Sequence, residues 1–118
     1  MHDMPPDEAA RLEALRSLEI LDTAPEPEFD ALARAAAAVA ACPIAMISLI
    51  DADRMWAKAV HGIGLREVPR TDSICTHTIL RDEPLLVGDL AEDRRFAANP
   101  LVDSADGLRF YLGQPVRF

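Results

Sequence analysis

Pro43 constrains this chain more than any other single residue. Before it, Phe29, Leu32, Ala33, Ala36, Val39 and Ala40 recur at helical spacing, with Pro27 suited to a first turn. After it, Ile44-Ala45-Met46-Ile47-Ser48-Leu49-Ile50 is a continuous apolar run rich in β-branched side chains. A proline lacks the N–H that a helix interior needs, and its ring clashes with the preceding turn, so the helix must end by Cys42. The run that follows is short enough to be a strand buried on both faces. The alanines of the helix allow it to approach a sheet closely. The interruption also keeps the two apolar segments from joining into the roughly 18 residues that a membrane span needs.

Further elements follow from local order. Residues 7–21 predict an amphipathic helix with Leu12, Leu15, Leu18 and Leu21 as a narrow seam, stopped by Asp22-Thr23-Ala24-Pro25. Asp51-Ala52-Asp53-Arg54 reads as a turn, and residues 55–61 alternate as the return strand of a hairpin, with Trp56, Lys58 and Val60 on one side. Residues 65–73 predict a long connection leading into a short helix over 74–80. A short strand is expected at 84–88, then a polar stretch at 89–99 anchored by Phe96, and a late strand at 108–118. Helix, hairpin, short helices and strand make an α+β plan on an antiparallel sheet.

At 118 residues and 12.9 kDa the chain predicts one domain, 1–118, with 1–24 as helix and lead-in and 25–118 as the sheet-bearing body. Its net charge of −8 repels phosphate backbones, so no nucleic-acid partner is expected. Two cysteines without CxxC spacing, Cys42 and Cys75, argue against a disulfide framework and for a reducing, cytoplasmic setting. The opening Met-His-Asp-Met-Pro-Pro-Asp-Glu lacks the basic-then-apolar order of a secretory signal, and no membrane partner is expected. The sequence shows no Gly-rich phosphate loop, HExxH, GxSxG or Cys/His cluster, so it assigns no catalytic residue and no metal set.

Several stretches share a resemblance. Arg11-Leu12-Glu13-Ala14-Leu15, Ile20-Leu21-Asp22-Thr23-Ala24-Pro25-Glu26, Ile47-Ser48-Leu49-Ile50-Asp51 with Trp56 and Lys58, Ser73-Ile74-Cys75-Thr76-His77, Asp93-Arg94-Arg95-Phe96-Ala97-Ala98-Asn99-Pro100, and Arg109-Phe110-Tyr111-Leu112-Gly113 resemble, in order, the GAF domains at the front of bacterial sensor histidine kinases and diguanylate cyclases. The resemblance implies a non-catalytic sensory or regulatory module acting on a signalling effector. It implies a central antiparallel sheet with the N-terminal helices on one face and a roof of loops and short helices on the other. It also implies a last strand and helix beyond Phe118. The cofactor stays open, because GAF domains bind varied ligands or merely dimerise.

The candidate pocket is bounded by Trp56, Lys58, Cys75, Arg109 and Tyr111, whose aromatic walls and two cations suit a small anionic or aromatic ligand. Against it stands packing of Trp56, with Lys58 and Arg109 paired to Asp51 or Asp89. Arg70, Arg94 and Arg95 are expected as surface pairs. Cys75 and His77 lie two apart, on different faces of a helix, which disfavours metal. Thr76 separates them, unlike the cysteine–histidine pair of bilin photosensors. A haem or bilin photosensor or gas sensor is one alternative. A thiol enzyme of the free methionine sulfoxide reductase type, using Cys42 and Cys75, is another. The leucine seam predicts a homodimer, since exposing it forfeits about 1.5–3 kcal/mol of burial per leucine.

Overall fold

The computed structural model describes residues 4–104 and 107–116. Two helices and a three-stranded sheet make a first body, Pro6–Arg70. Helix α1 (Glu8–Ser17) is four residues shorter at its C-terminal end than the leucine spacing predicts. Its last turn tightens as the Leu18 and Glu19 N–H groups donate to Leu15 and Arg16 carbonyls, and Glu19 (φ 54°) and Asp22 (φ 63°) are left-handed. Leu21 therefore stands beyond the helix, and the expected single seam is broken. Leu15 is buried in this body, while Leu12, Leu18 and Leu21 are half-buried.

Helix α2 (Pro27–Ala40) starts on its proline and ends where Ala41 turns left-handed (φ 54°), one residue before Cys42. The side it buries carries Ala33 and Ala37, with Phe29 half-buried. Leu32 and Val39, expected inside, are 60% and 89% exposed. Ala36 and Ala40, expected on the same side, are exposed as well, so the buried stripe is narrower than the spacing predicts.

Strands β1 (Ala45–Ile50), β2 (Arg54–His61) and β3 (Glu67–Pro69) pair antiparallel in that order. The tight turn is closed by the Asp51 N–H on the Arg54 carbonyl at 2.8 Å. Gly62 (φ 83°) ends β2 where a Cβ would lie 1.9 Å from the Pro43 carbonyl oxygen, so no larger residue fits. Strand β3 occupies part of the stretch expected as a connection. Its Val68 faces Met55, an apolar pair that three residues of sequence are too few to advertise. Ladder β1–β2 carries a bulge: Ile47 faces Ala59 and Ser48 faces Ala57, leaving Lys58 as the extra residue. Strict alternation fails there, and Met55 through Ala59 are all buried. Strand β1 is half-buried except at Ile50, rather than buried on both faces, because only one of its edges is paired among the described residues.

The second body runs from Thr71 onward and includes Met4 and Pro5. It holds helix α3 (Cys75–Thr78) and strands β4 (Leu85–Val87) and β5 (Tyr111–Gly113), an antiparallel pair. Ile74, Val87, Leu90, Phe96 and Val102 form its core, with Leu85, Leu108 and Tyr111 against it. Phe96 anchors the polar stretch as its position predicts. Asn99 fixes the following turn, donating from Nδ2 to the Asp72 carbonyl and accepting from the Leu101 N–H, both at 2.8 Å. The late strand is only three residues long, and residues 117–118 of the expected strand lie outside the described residues. The class is α+β with antiparallel pairing, as expected. Among the described residues, the expected single central sheet is two separate ladders, because β5 pairs with β4 and β1 pairs only with β2.

Candidate functional site

A polar relay lies at the start of the second body's short helix. Cys75, Thr78 and Tyr111 converge: the Tyr111 hydroxyl donates to Cys75 Sγ at 3.3 Å and lies 2.6 Å from Thr78 Oγ1. Helical spacing puts Cys75 and Thr78 one turn apart, so a single group can reach both. Gly113 makes room for that group, since a Cβ there would stand 2.4 Å from the phenol oxygen and 2.7 Å from Thr78 Oγ1. Burial, and then the Cys75 thiol beside it, push the Tyr111 hydroxyl well above its ordinary range. It stays a neutral donor. Cys75 itself is half-buried and, like Cys42, is not in a disulfide.

A cleft of about 220 Å³ opens beside Thr78. Leu80, Pro84 and Leu85 give it apolar walls, and His77, Arg81, Glu83 and Arg95 give it charge and hydrogen-bonding capacity. His77 meets the Phe96 ring edge-on at 4.8 Å between centroids. Arg95 forks onto Asp93 (3.0 and 2.8 Å) and lies 5.0 Å from the Phe96 ring centre. That fork, with the Arg95 N–H, holds the Asp93 carboxyl down to about 2. Arg95 is thus a surface pair, as expected.

The other expected pocket residues are engaged elsewhere. Arg109 donates to the carbonyls of Val102 (2.8 Å) and Ser104 (2.9 Å), bracing a loop of the second body instead of pairing with Asp89. Asp89 caps a short 3-10 turn by accepting from the Ala91 N–H. Trp56 and Lys58 belong to the first body. Lys58 is 1% exposed, and its ammonium donates to Glu26 Oε2, Thr23 Oγ1 and the Ala24 carbonyl, each at 2.7 Å, with the Phe29 ring 5.6 Å away. Neither Asp51 nor Asp89 is its partner. The bulge aims its side chain at the chain entering α2, which residue spacing could not show.

Arg70 was expected at the surface and is 1% exposed. It grips Glu8 through two bonds of 2.7 and 3.1 Å and donates to the Asp51 carbonyl at 3.1 Å. Arg11 holds the same carboxylate with two bonds of 3.0 Å. The Arg70 hydrogen bond, aided by Arg11, lowers the Glu8 carboxyl to about 2. A partner 62 residues away leaves no mark in local sequence. A depression of about 300 Å³ by Asp53, Arg54, Glu67, Val68 and Pro69 offers little to a ligand, because Arg54 already meets Asp22, Asp51 and Glu67.

The family model described as GAF domain matches residues 24–118. The chain belongs to the GAF domain family. This GAF domain is 36% identical over 112 residues, 95% of its length, to a cyclic di-GMP phosphodiesterase of Pseudomonas aeruginosa. The chain spans about a fifth of that relative's length (19%). GAF domains are sensory and regulatory modules, and the relative is a bacterial signalling protein. No helix of the GAF domain is long and apolar enough to cross a membrane, among the described residues.

Proposed function

We propose that this GAF domain is a non-catalytic, cytoplasmic input module that binds a small anionic or aromatic metabolite and biases a signalling effector. The observation that carries the reading is the cleft beside the Thr78–Tyr111–Cys75 relay. It pairs apolar walls with the Arg81 guanidinium, the His77 imidazole and a braced Arg95, the mixture that small-molecule sites use. The pocket expected from sequence narrows accordingly. Tyr111 and Cys75 connect to the proposed site only through Thr78, while Lys58 and Arg109 are committed to structural partners and Trp56 is packed.

Benzoate combines both ligand characters and is the probe. Titrated into the labelled protein, it is expected to shift the backbone amides of residues 77–83, 85 and 95. Arg81→Ala should weaken binding about tenfold, the loss of one charge-assisted contact. Shifts confined to other residues, or none at millimolar benzoate, would overturn the cleft. The relative acts on cyclic di-GMP, and on this proposal the GAF segment regulates such chemistry without performing it. Incubation of the purified chain with cyclic di-GMP should leave it intact. Hydrolysis that co-purifies with the chain and is lost on Asp93→Ala would make it an enzyme.

Self-association belongs to the same proposal. It is supported by apolar surface on the first body, where Leu12, Leu18 and Leu21 are half-buried and Leu32 and Val39 face solvent. Light scattering should give about twice 12.9 kDa. A monomer at micromolar concentration removes the homodimer.

A further inference from the structure

We propose that residues 7–26, helix α1 and the chain that leads from it into α2, form a releasable strap. It is fastened to the sheet of the first body mainly by ion pairs, and it can open while the sheet stays folded.

Three fastenings run its length. At its start the Glu8 carboxylate meets Arg70, which follows β3, at 2.7 Å. In its middle Asp22 takes a two-pronged contact from Arg54 at the start of β2, at 2.8 and 2.7 Å. At its end Glu26 meets Lys58 on β2 at 2.7 Å. In each, the acid belongs to the strap and the base to the sheet. One weaker pair runs the other way, Arg16 to Asp51 at 3.6 Å. Arg11 adds a bond to the Ile50 carbonyl. Against this polar set, the strap buries Leu15 fully and leaves Leu12, Leu18, Ile20 and Leu21 half-buried.

The burial is asymmetric, and that asymmetry makes the strap releasable. Lys58 and Arg70 are almost wholly covered, whereas Asp22 and Glu26 are more than half exposed. Water and salt ions already reach two of the three acids. When the strap lifts, the covered cations pass into water and are not stranded in an apolar interior, so the usual penalty for breaking a buried pair is relieved. Helix α2, with Ala33 and Ala37 buried, packs on β1 and β2 and still covers the sheet when the strap lifts. The strap also lies almost entirely before the segment that the family model matches, residues 24–118, while Arg54, Lys58 and Arg70 lie within it. Competition for those three cations, or their screening, is the trigger that fits.

Amide hydrogen exchange on the full chain at neutral pH separates the possibilities. Between 0.05 and 1 M NaCl, protection of amides in residues 9–26 should fall about tenfold or more, while that of β2 changes by less than about twofold. The doubly neutralised Asp22→Asn/Glu26→Gln variant alters only exposed acids. It should show the same selective loss at low salt. The strap is overturned if its protection is insensitive to salt and to the variant, or if strap and β2 lose protection together.

Discussion

The two bodies differ in the largest side chains that they cover completely. The largest fully covered side chains of the first are Arg70 and Lys58, and those of the second are Phe96, Leu90 and Val102. In the first body, alanines bring helix α2 close to the sheet, and long cations reach past the strands to hold the N-terminal chain. In the second, short helices and turns gather round one apolar cluster. Both bodies exclude water from apolar side chains, but the first also covers two cations paired with acids, so the two should answer differently to mutation, acid and salt.

The largest effect is expected where the contrast is sharpest. Phe96→Ala empties the centre of the second cluster and should cost about 3–5 kcal/mol in denaturant unfolding. A loss below 1 kcal/mol would mean that the cluster is not what holds that body.

Next comes Glu8→Gln, which leaves a covered Arg70 without its acid and should cost about 1–3 kcal/mol. Acid tests the same contact reversibly. The Glu8 carboxyl is lowered in the folded chain from 4.5 to about 2, so its stabilisation is complete above pH 4.5 and is lost as pH falls through 2. The wild type should therefore lose stability across that window faster than Glu8→Gln. Parallel acid curves would remove the assignment.

Tyr111→Phe should cost about 1 kcal/mol, since Thr78 keeps a rotatable hydroxyl and Cys75 is a weak acceptor. Its unfolding midpoint is the readout. Smallest of all, Lys58→Met should shift global stability by less than about 1 kcal/mol, because an apolar chain of similar length replaces a covered charge whose partner is already wet. It should still raise amide exchange at residues 22–26. A severe global loss would show that the charge, not its stem, carries the first body.

Much of the scaffold was legible locally. The helix ending before Pro43, the apolar strand after it, the turn at 51–54, the short strand near 85 and the Phe96 anchor all depend on neighbours within a few residues. The relay was half legible. Cys75 and Tyr111 stand out in the sequence and Thr78 does not, although its place one turn after Cys75 is a usable signal. The early end of α1 was hidden because leucines at every third residue look helical whether or not the chain turns left-handed at Glu19.

The order and kind of the elements, β3 excepted, follow from the sequence alone, because proline geometry, side-chain period and turn chemistry act over one or two turns of chain. Where the charges go is set by the folded arrangement. Arg70 and Lys58 look like any other surface cations in a string of letters. Their burial depends on Glu8, 62 residues from Arg70, and on a one-residue bulge that aims Lys58 at Glu26. A long flexible cation pairs with whichever acid the fold brings within about 3 Å, and sequence distance does not enter that choice.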